Sequence, residues 1–589
     1  MLIFDIETQT FGKPNPKKDV FKYMGAYSYI DKKYYFLDDK DEVKELLKRH
    51  KIIVGFNSYH YDEPIMKRCG CWVGGHTHLD LYKIIKKRSN LLRCENESKS
   101  LRNLAKFFGM KVQKGEMDYE LLNKPAISQE EFYTIKEYTL KDIEVTKELF
   151  EYIYNFFEPF KEYLSKYDQD RFKWLTTSTG AYAYKVICNM TGIEEEYSDI
   201  REGERYKGGY VSLPTQAEEH DDILCYDFNS LYPHCFIQAN LYSHSCNCCK
   251  EEDKWTGNEM FPVTGKYCIK TQGKIEKLLL EMYKKRQVYK KDNDRREYVI
   301  KIIINTMYGI SGSPLFKNLY SYKTASDCTL IARRSTKFAR KKFQSAGYEV
   351  LYSDTDSVYL KDPFKDPERL KFIKKHIVDT IKKNLPFPAE TFDMGVDDEI
   401  KHIWFFKKND KFLKKFYIYV TEGGKVKVKG LPMIKNDSSK VGYHVFKKYM
   451  LESVKQGVIK FDYENVKLWV DNELRLNLDY VVRTYKVNSF ETYKNESQLQ
   501  AQISKKYGAG VHYLIANKKV GVGKGCRYCT REEFKDAELG FDDLVLTKFW
   551  SEMEVFCDIP VIKKYKVVGR KQRRKKAQLS LEAWCDLGE

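Results

Sequence analysis

The sequence predicts a multidomain protein of mixed α/β and α+β class. Three observations lead to this prediction: the length of 589 residues, the alternation of strand-like and helix-like stretches before about residue 160, and a second α/β-like region from about Tyr206 to Lys425. A chain of this length has room for roughly three to five domains. With 42% hydrophobic residues, it can also form sizeable cores.

The elements follow in order from local patterns. LIFDIET and KIIVGF are typical of short buried strands, and DEVKELLKRH and SKSLRNLAKFF have helical spacing. The segment SQEE at 128–131 predicts a capping box that opens a long helix ending near Phe157. The second region contains a charged pair of helices between Ile275 and Tyr308. Such alternation is typical of α/β organisation.

The composition indicates a polyanionic partner. Lys and Arg number 103 against 84 Asp and Glu, a net charge of +19, and the 45 Tyr and 34 Phe suit stacked bases. A basic, Tyr-rich enzyme from a lysine-rich proteome is the alternative.

No apolar run has the length of a membrane span, and MLIFDIETQT does not read as a signal peptide. We therefore expect a cytoplasmic protein that is not secreted.

Carboxylates recur in the N-terminal third. Asp5 and Glu7 share one face of a strand, Asp62 follows the strand-like KIIVGF, and Tyr138 and Asp142 lie one helical turn apart. If the three segments meet, four carboxylates converge with a tyrosine. Such a cluster stays ionised only with cations, and two Mg²⁺ or Mn²⁺ ions would suit phosphodiester hydrolysis.

DIE, NxxxYD and YxxxD in this order resemble the three motifs of DEDDy-type 3′–5′ proofreading exonucleases, which are RNase H-like. The resemblance implies Asp5, Glu7, Asp62 and Asp142 as metal ligands and Tyr138 as the residue that orients the attacking water. The stretch KGEMDY resembles a block of protein-primed phage polymerases. It makes Lys114 a candidate contact to the scissile phosphate, supported by Tyr119, and Asn57 is a candidate DNA contact.

A pair of aspartates interrupts the strand-like LYSDTDSVYL. Asp354 and Asp356 are separated only by Thr355, so on a strand they would face the same side and repel. A hairpin turn and a divalent-cation site at a turn both explain them. YDFNSLYPH supplies a third acid, Asp227, at another predicted strand end.

One helix face carries polar residues of a different kind. In KIIINTMYGI, Lys301, Asn305 and Tyr308 are spaced i, i+4 and i+7, which lines them along one side of a helix. Nucleotidyl transfer requires acids that bind two metal ions and a cationic side chain that neutralises the charge of a triphosphate. Asp227, Asp354 and Asp356 together with Lys301 would supply these groups.

These segments resemble the DxxSLYP, KxxxNxxYG and YxDTDS motifs of family B DNA polymerases, whose palm, fingers and thumb form a right hand. The resemblance implies metal binding by Asp227, Asp356 and Asp354, with the Phe228 carbonyl as a backbone ligand. It also implies dNTP contacts. These are Lys301, Asn305, Tyr308, Arg286 one turn before Lys290, and Tyr232 as the sugar selector. For Arg286, a solvated helix face is the alternative.

Smaller resemblances indicate DNA contacts. YKGGY, with Tyr206, Gly208 and Gly209, resembles the YxGG element between exonuclease and polymerase domains. KKFY, with Lys415 and Tyr417, resembles the KxY element at the primer terminus, and Lys427 is a further candidate. An ordinary loop and an edge strand are the respective alternatives for the first two.

The resemblance implies six regions over the chain. They are an exonuclease domain at 1–157, a connecting helical segment at 158–205, palm at 206–272 and 312–425, fingers at 273–311, and a thumb or C-terminal basic region at 426–589. The intervals of 74 positions from Asp227 to Lys301 and 53 from Lys301 to Asp354 look short for the protein-primed branch. Two insertions of that branch therefore look absent, which puts protein priming, strand displacement and processivity in doubt.

The fifteen cysteines predict reduced structural thiols. Zinc half-sites are the alternative, in HSCNCC (His244, Cys246, Cys248, Cys249) and GCRYC (Cys526, Cys529).

The predicted function is a monomeric, template-directed DNA polymerase with a proofreading exonuclease. Its partners are primer-template DNA and dNTPs, its cofactors are two Mg²⁺ or Mn²⁺ per site, and its origin is a phage or mobile-element replicase. The alternatives are an exonuclease with a degenerate palm and a catalytically silent DNA-binding scaffold.

Overall fold

The computed structural model describes residues 1–559 except 12–13, 95–98, 201–202, 215–217, 244–247, 409, 436–437, 518 and 524–526, and for 547–548 it describes the backbone alone. The chain divides into two compact units. Unit one comprises Met1–Ser212 and Leu224–Asp397, and unit two comprises Leu213–Ile223 and Asp398–Glu589. None of the described helices has the length and apolar character that crossing a bilayer requires.

The N-terminal part of unit one is built on a five-stranded sheet of order β3-β2-β1-β4-β5, in which β1 is antiparallel to β2 and parallel to β4. Helix α5 packs on β1 and β2, and Ser128 and Glu131 form the predicted capping box at its start. The elements are β1 (Leu2–Gln9), β2 (Val20–Ser28), β3 (Lys33–Leu37), α1 (Lys40–Lys48), β4 (Ile52–Gly55), α2 (Asp62–Cys69), β5 (Thr77–Asp80), α3 (Leu81–Arg88), α4 (Leu101–Phe107) and α5 (Gln129–Phe157).

The rest of unit one places strands of order β6-β8-β7 against helices, with α10 and α11 forming the predicted charged pair. A hydrophobic core runs from Ile3 to Met394 through this unit. The elements are α6 (Lys166–Asp170), α7 (Lys173–Thr176), α8 (Thr179–Thr191), β6 (Glu219–Phe228), α9 (Leu231–Ala239), α10 (Lys274–Lys291), α11 (Arg296–Ser311), α12 (Tyr322–Ser345), β7 (Glu349–Asp354), β8 (Ser357–Lys361), α13 (Pro367–Lys383) and β9 (Met394–Lys408).

Unit two contains an antiparallel meander, β9-β10-β11, and a separate antiparallel sheet of order β12-β13-β14. Its own core extends from Trp404 to Cys557. The elements are β10 (Lys411–Thr421), β11 (Val426–Lys429), α14 (Lys440–Val445), α15 (Leu451–Lys455), α16 (Tyr463–Leu476), β12 (Arg483–Val487), α17 (Leu499–Tyr507), β13 (Gly510–Asn517), β14 (Arg527–Cys529), α18 (Arg531–Asp536) and α19 (Thr547–Met553). The region boundaries predicted from the sequence stay predictions.

Candidate active sites

The first site forms where α5 crosses β1. Gly25 of β2 lies opposite Asp5 in the strand register, and a Cβ built on Gly25 would lie 2.6 Å from Thr139 Cγ2. The missing side chain therefore lets α5 approach the sheet closely at the level of Asp5. Thr139 Oγ1 also donates to Glu7 Oε1 at 3.3 Å. The helix thus brings Tyr138 and Asp142 to the strand that carries the two acids.

The N-terminal acidic cluster consists of Asp5, Glu7, Asp62 and Asp142. Ligand oxygens of three of them, Asp5, Glu7 and Asp142, lie within 4.8 Å of one another. Asp62, the first residue of α2, lies close enough to Asp5 for each carboxyl group to shift the pKa of the other. Asp142 and Asp62 have exposed fractions of only 1% and 3%. The strand β1, the helix α2 and the helix α5 thus bring these acids together.

Burial is the main cause of the raised carboxyl pKa values in this cluster. It raises the pKa of Asp5 to about 7, with Asp142 adding to the rise and Lys114 opposing it. Burial, aided by the charges of Asp5 and Asp142, raises the pKa of Glu7 to about 8. The pKa of Asp62 is raised by burial and by Asp5. Like charges buried together cannot all ionise without a compensating cation.

Lys114, Tyr119 and Tyr138 lie next to the acidic cluster. Lys114 forms an ion pair with Asp142, and its Nζ lies 5.4 Å from the centroid of the Tyr138 ring. The hydroxyls of Tyr119 and Tyr138 are 2.7 Å apart. Asn57 lies outside this group in a left-handed conformation, and its backbone N–H donates to Asp80 Oδ1 at 3.1 Å.

The donor set fits hard divalent cations. Within the described part of the chain, Asp142 Oδ1 is buried and has no hydrogen-bond partner. An orphaned carboxylate oxygen beside three further carboxylates is an arrangement that Mg²⁺ or Mn²⁺ satisfies, since both prefer oxygen ligands.

The second site is centred on the β7–β8 hairpin. Asp354 ends β7 and pairs with Ser357, so Thr355 and Asp356 form a two-residue turn, with Thr355 at φ 63°. Thr355 Oγ1 donates to Asp354 Oδ1 at 3.0 Å, and Asp356 N donates to Asp354 O at 2.7 Å. The hairpin turn is thus present, and it carries both carboxylates.

Asp227 lies beside this turn. It precedes the last residue of β6, the strand next to β8, and Phe228 N donates to Asp356 O at 3.0 Å. Among the described residues, the carboxylates of Asp227, Asp354 and Asp356 are less closely gathered than those of Asp5, Glu7 and Asp142, whose oxygens lie within 4.8 Å of one another. The main-chain hydrogen bond between Phe228 and Asp356 holds the end of β6 against the turn between β7 and β8.

The segment Tyr206–Tyr210 lies on the same turn. Tyr210 O accepts from Thr355 N at 2.6 Å, and a Cβ on Gly209 would lie 2.8 Å from Tyr232 Oη and 3.0 Å from Thr355 Cγ2. Gly208 O accepts from Arg333 Nη1 at 2.9 Å. Arg333 of α12 therefore helps to hold this segment against the hairpin.

Three tyrosine side chains contact one another between the second site and α11. The rings of Tyr232 and Tyr308 stack with centroids 4.6 Å apart and an interplanar angle of 17°, and Tyr206 meets Tyr308 edge-on at 6.5 Å. Lys301 and Asn305 are exposed on α11, and Tyr308 is half-buried.

Arg286 is not on a solvated face, so that alternative is wrong. Its side chain is 14% exposed, and Nε donates to Glu297 Oε1 at 2.7 Å. Its Nη1 donates to Ser230 Oγ at 3.3 Å. Ser230 follows β6 and precedes α9, so Arg286 ties α10 to the strand end that carries Asp227.

Three predicted DNA contacts lie in unit two. Lys415 is exposed and has φ 55°, at an irregularity of β10. Tyr417 is 1% exposed and stacks on Tyr419. Lys427 forms an ion pair with Asp398.

Sequence reasoning missed several residues that shape the two sites. Gly25 and Arg333 lie in segments that carry no recognisable motif, and their roles depend on contacts between residues distant in sequence. The signal that was available was weak: a glycine inside the strand-like VFKYMGAYS indicates a close approach of another backbone or helix.

Two family models match the chain. Residues 181–518 match the family described as DNA polymerase family B, and residues 2–154 match the RNase H superfamily. Because the first match covers more than half of the chain, this protein belongs to the family B DNA polymerases. The predicted fold class, an RNase H-like domain followed by a family B polymerase fold, is confirmed.

The relatives named in the comparison are archaeal. The chain is 26% identical over 428 residues to DNA polymerase 1 of Pyrococcus abyssi, covering 67% of this chain and 52% of that protein. It is 24% identical over 487 residues to a DNA polymerase of Archaeoglobus fulgidus, covering 74% and 58%. The chain thus spans about half the length of the relatives it matches. These relatives give no support to the expected phage or mobile-element origin.

A solved structure supports the fold. The family B DNA polymerase of Pyrobaculum calidifontis matches with a TM-score of 0.56 and 18% identity, covering 97% of this chain and 78% of that one. At this identity the likeness concerns the fold alone.

Proposed function

We propose that this chain is a template-directed DNA polymerase that extends a primer 3′ end with dNTPs and carries a 3′–5′ proofreading exonuclease. The observation that carries the proposal is the hydrogen bond from Phe228 N to Asp356 O, which sets Asp227 beside the two acids of the hairpin turn within a chain of this family. Primer-template DNA and dNTPs are the proposed substrates.

In the polymerase site, Asp227 and Asp356 are the proposed main metal ligands, assisted by Asp354 and the Phe228 carbonyl. Divalent cations bound there would lower the pKa of the primer 3′-OH and neutralise the triphosphate. The chain itself positions the reactants. The residues that would contact the dNTP are Tyr232, Arg286, Lys301, Asn305 and Tyr308, and the DNA-contact candidates from the sequence would contact the primer-template. Those DNA contacts are Asn57, Tyr206, Gly208, Gly209, Lys415, Tyr417 and Lys427.

In the exonuclease site, the N-terminal acidic cluster is the proposed metal-binding set. Tyr138 would orient water toward the scissile phosphate, and Lys114 would contact that phosphate after leaving Asp142. The buried, partnerless Asp142 Oδ1 supports this assignment.

The test is a labelled primer-template assay with Mg²⁺, with and without dNTPs. We expect Asp356→Ala to lower extension by at least about a hundredfold while degradation persists, because an electrostatic stabiliser is lost at one site only. Asp5→Ala combined with Glu7→Ala should do the reverse.

The matched controls remove exposed acids from the same elements. Glu349→Ala on β7 and Glu137→Ala on α5 should leave both activities unchanged. Loss of both activities in a folded Asp356→Ala protein would reject the two-site assignment. Degradation without extension in the unaltered protein would favour the degenerate-palm alternative, and a mobility shift alone would favour a DNA-binding scaffold.

A further inference from the structure

Three cysteine thiols gather in the stretch of chain between α9 and α10. The Sγ atoms of Cys248, Cys249 and Cys268 all lie within 4.8 Å of one another, and those of Cys248 and Cys268 are 3.2 Å apart. Around a tetrahedral ion with Zn–S bonds of about 2.3 Å, thiolates are separated by roughly 3.8 Å. The three sulfurs are thus close to the spacing that one shared ion requires.

Cys268 has the hydrogen bonds of a metal-bound thiolate. Its Sγ accepts from Lys270 N at 3.4 Å and from Thr271 N at 3.3 Å. Two backbone N–H groups two and three residues after the cysteine point at one sulfur, and such donors stabilise the charged form of a ligand and fix its direction. This observation is independent of the distances between the sulfurs.

The surrounding backbone holds Cys268 in place. Cys268 N donates to Ser243 Oγ at 2.9 Å, and Asn240 Nδ2 donates to the carbonyls of Cys268 and Thr271 at 2.8 and 3.0 Å. Asn240 follows the last residue of α9, and its Oδ1 accepts from Gly273 N just before α10 at 2.8 Å. The thiol is therefore presented from a rigid loop, while Cys248 is exposed and Cys249 is half-buried.

We propose that Cys248, Cys249 and Cys268 bind one zinc ion, which ties the segment after α9 to the loop that leads into α10. Each thiol releases its proton when it binds, and no electron transfer is needed. Of the residues in the two half-sites considered from the sequence, Cys248 and Cys249 lie in this group. His244, Cys246 and Cys526 lie outside the described residues, and Cys529 donates to Ile515 O at 3.4 Å in unit two.

Sequence spacing did not reveal this site because Cys268 is 19 positions from Cys249 and stands alone in YCIK. A disulfide between Cys248 and Cys268 is the competing explanation, since their sulfurs are already in contact. The two explanations differ in thiol count, in metal content and in the response to a chelator.

The test measures metal content of the full-length protein, purified under reducing conditions and passed over a chelating resin. We expect about one zinc per chain, or stoichiometric uptake when ZnCl₂ is titrated into the metal-free protein. Cobalt substitution should give a thiolate-to-Co²⁺ charge-transfer band, whose intensity reports the number of sulfur ligands. Zinc removal by a chelator should lower the thermal unfolding midpoint.

Cys248→Ser is the first variant because this residue is exposed, and Cys268→Ser is the second. Each should weaken zinc binding by at least about 10–100-fold and make the unfolding midpoint insensitive to the chelator. Cys69→Ser, a half-buried thiol outside the cluster, is the control and should retain zinc. The proposal is overturned by a chain that neither contains nor takes up zinc, by zinc retained in both serine variants, or by a Cys248–Cys268 disulfide in a parallel preparation purified without reductant.

Discussion

At residue 209 the backbone has no room for a side chain. A methyl group there would lie 2.8 Å from Tyr232 Oη and 3.0 Å from Thr355 Cγ2, so Gly209→Ala must displace the sugar-selector candidate or the hairpin turn. Overpacking of this kind costs about 1–3 kcal/mol. We expect primer extension to fall about tenfold or more, with degradation unchanged.

Gly395→Ala is the matched control for this change, because a Cβ at residue 395 meets nothing within 4 Å and the residue has no proposed role in either site. Steady-state extension and exonuclease assays on both variants make the comparison. Equal effects of the two substitutions would show that the close contact at Gly209 has no role.

Tyr232 carries the second prediction at this scale. Its ring stacks on Tyr308 beside the hairpin turn, a position suited to a sugar that must lack a 2′-OH. We expect Tyr232→Val to admit ribonucleotides by removing the ring, while Tyr232→Phe, which keeps the ring, retains discrimination. The ratio of kcat/KM for a dNTP to kcat/KM for the matching rNTP measures this sugar discrimination. Unchanged selectivity in the valine variant would remove this residue from the sugar gate.

Glu276 gives a prediction for pH dependence. It is fully buried, accepts from Tyr242 N at 2.6 Å, and within the described chain its Oε2 has no partner. Burial raises the pKa of Glu276 from 4.5 to about 7. The folded state therefore binds this proton more tightly than the unfolded state, so the contribution of Glu276 to stability is greatest below pH 4.5 and is lost as the pH rises through 7.

The measurement compares unfolding midpoints of the unaltered protein and Glu276→Gln at pH 5 and pH 8. Because glutamine has no charge to desolvate, we expect the variant to gain at pH 8 relative to pH 5, by at most about 3 kcal/mol. Glu281→Gln, exposed on the same helix, is the control and should show no such gain. A pH-independent difference between Glu276→Gln and the unaltered protein would contradict the raised pKa.

At the scale of elements, much of unit one follows from local sequence. LIFDIET forms β1, and SQEE caps α5, which ends at Phe157 as predicted. Apolar periodicity and capping act within a few residues, so they are visible without a fold.

Long-range pairings could not be predicted in the same way. No sequence feature near Gly25 predicts its contact with Thr139, and none near Cys249 predicts its contact with Cys268. The acidic residues were found because their motifs resemble a family, while the residues that hold them in place carry no such pattern. Tertiary contacts decide those positions.

The contact between α5 and β2 gives a prediction for a whole element. Gly25→Ala would place a methyl group 2.6 Å from Thr139 Cγ2 and push α5 from the sheet. Since α5 carries Tyr138 and Asp142, we expect exonuclease activity to fall about tenfold or more, with polymerase extension retained and stability lowered by about 1–3 kcal/mol.

Gly74→Ala serves as the control in the same part of the chain, because a Cβ there meets nothing within 4 Å. Degradation of a labelled single strand, extension of a primer and the unfolding midpoint are measured for each variant. Exonuclease activity that is equal in the two variants would show that the close approach of α5 is not needed for the acidic cluster.

At the scale of the whole molecule, the net charge of +19 favours association with a polyanion such as the proposed primer-template DNA. Phosphate contacts release counterions, so the logarithm of affinity falls linearly with the logarithm of salt concentration, with a slope of about −0.9 per contact. Residues 561–589 contain nine Lys or Arg and three Asp or Glu, which is about a third of the net charge.

We expect deletion of residues 561–589 to weaken primer-template binding at low salt and to make the salt slope shallower, because fewer phosphates are neutralised. The difference should shrink as salt rises, since this contribution is electrostatic. A full-length variant with glutamine at the Lys and Arg positions of 563–576 separates charge from length and should behave like the deletion. Affinities measured by fluorescence anisotropy over a salt series decide the matter. If both altered chains kept the slope of the unaltered protein, the C-terminal positive charge would be a solvated tail without a part in DNA binding.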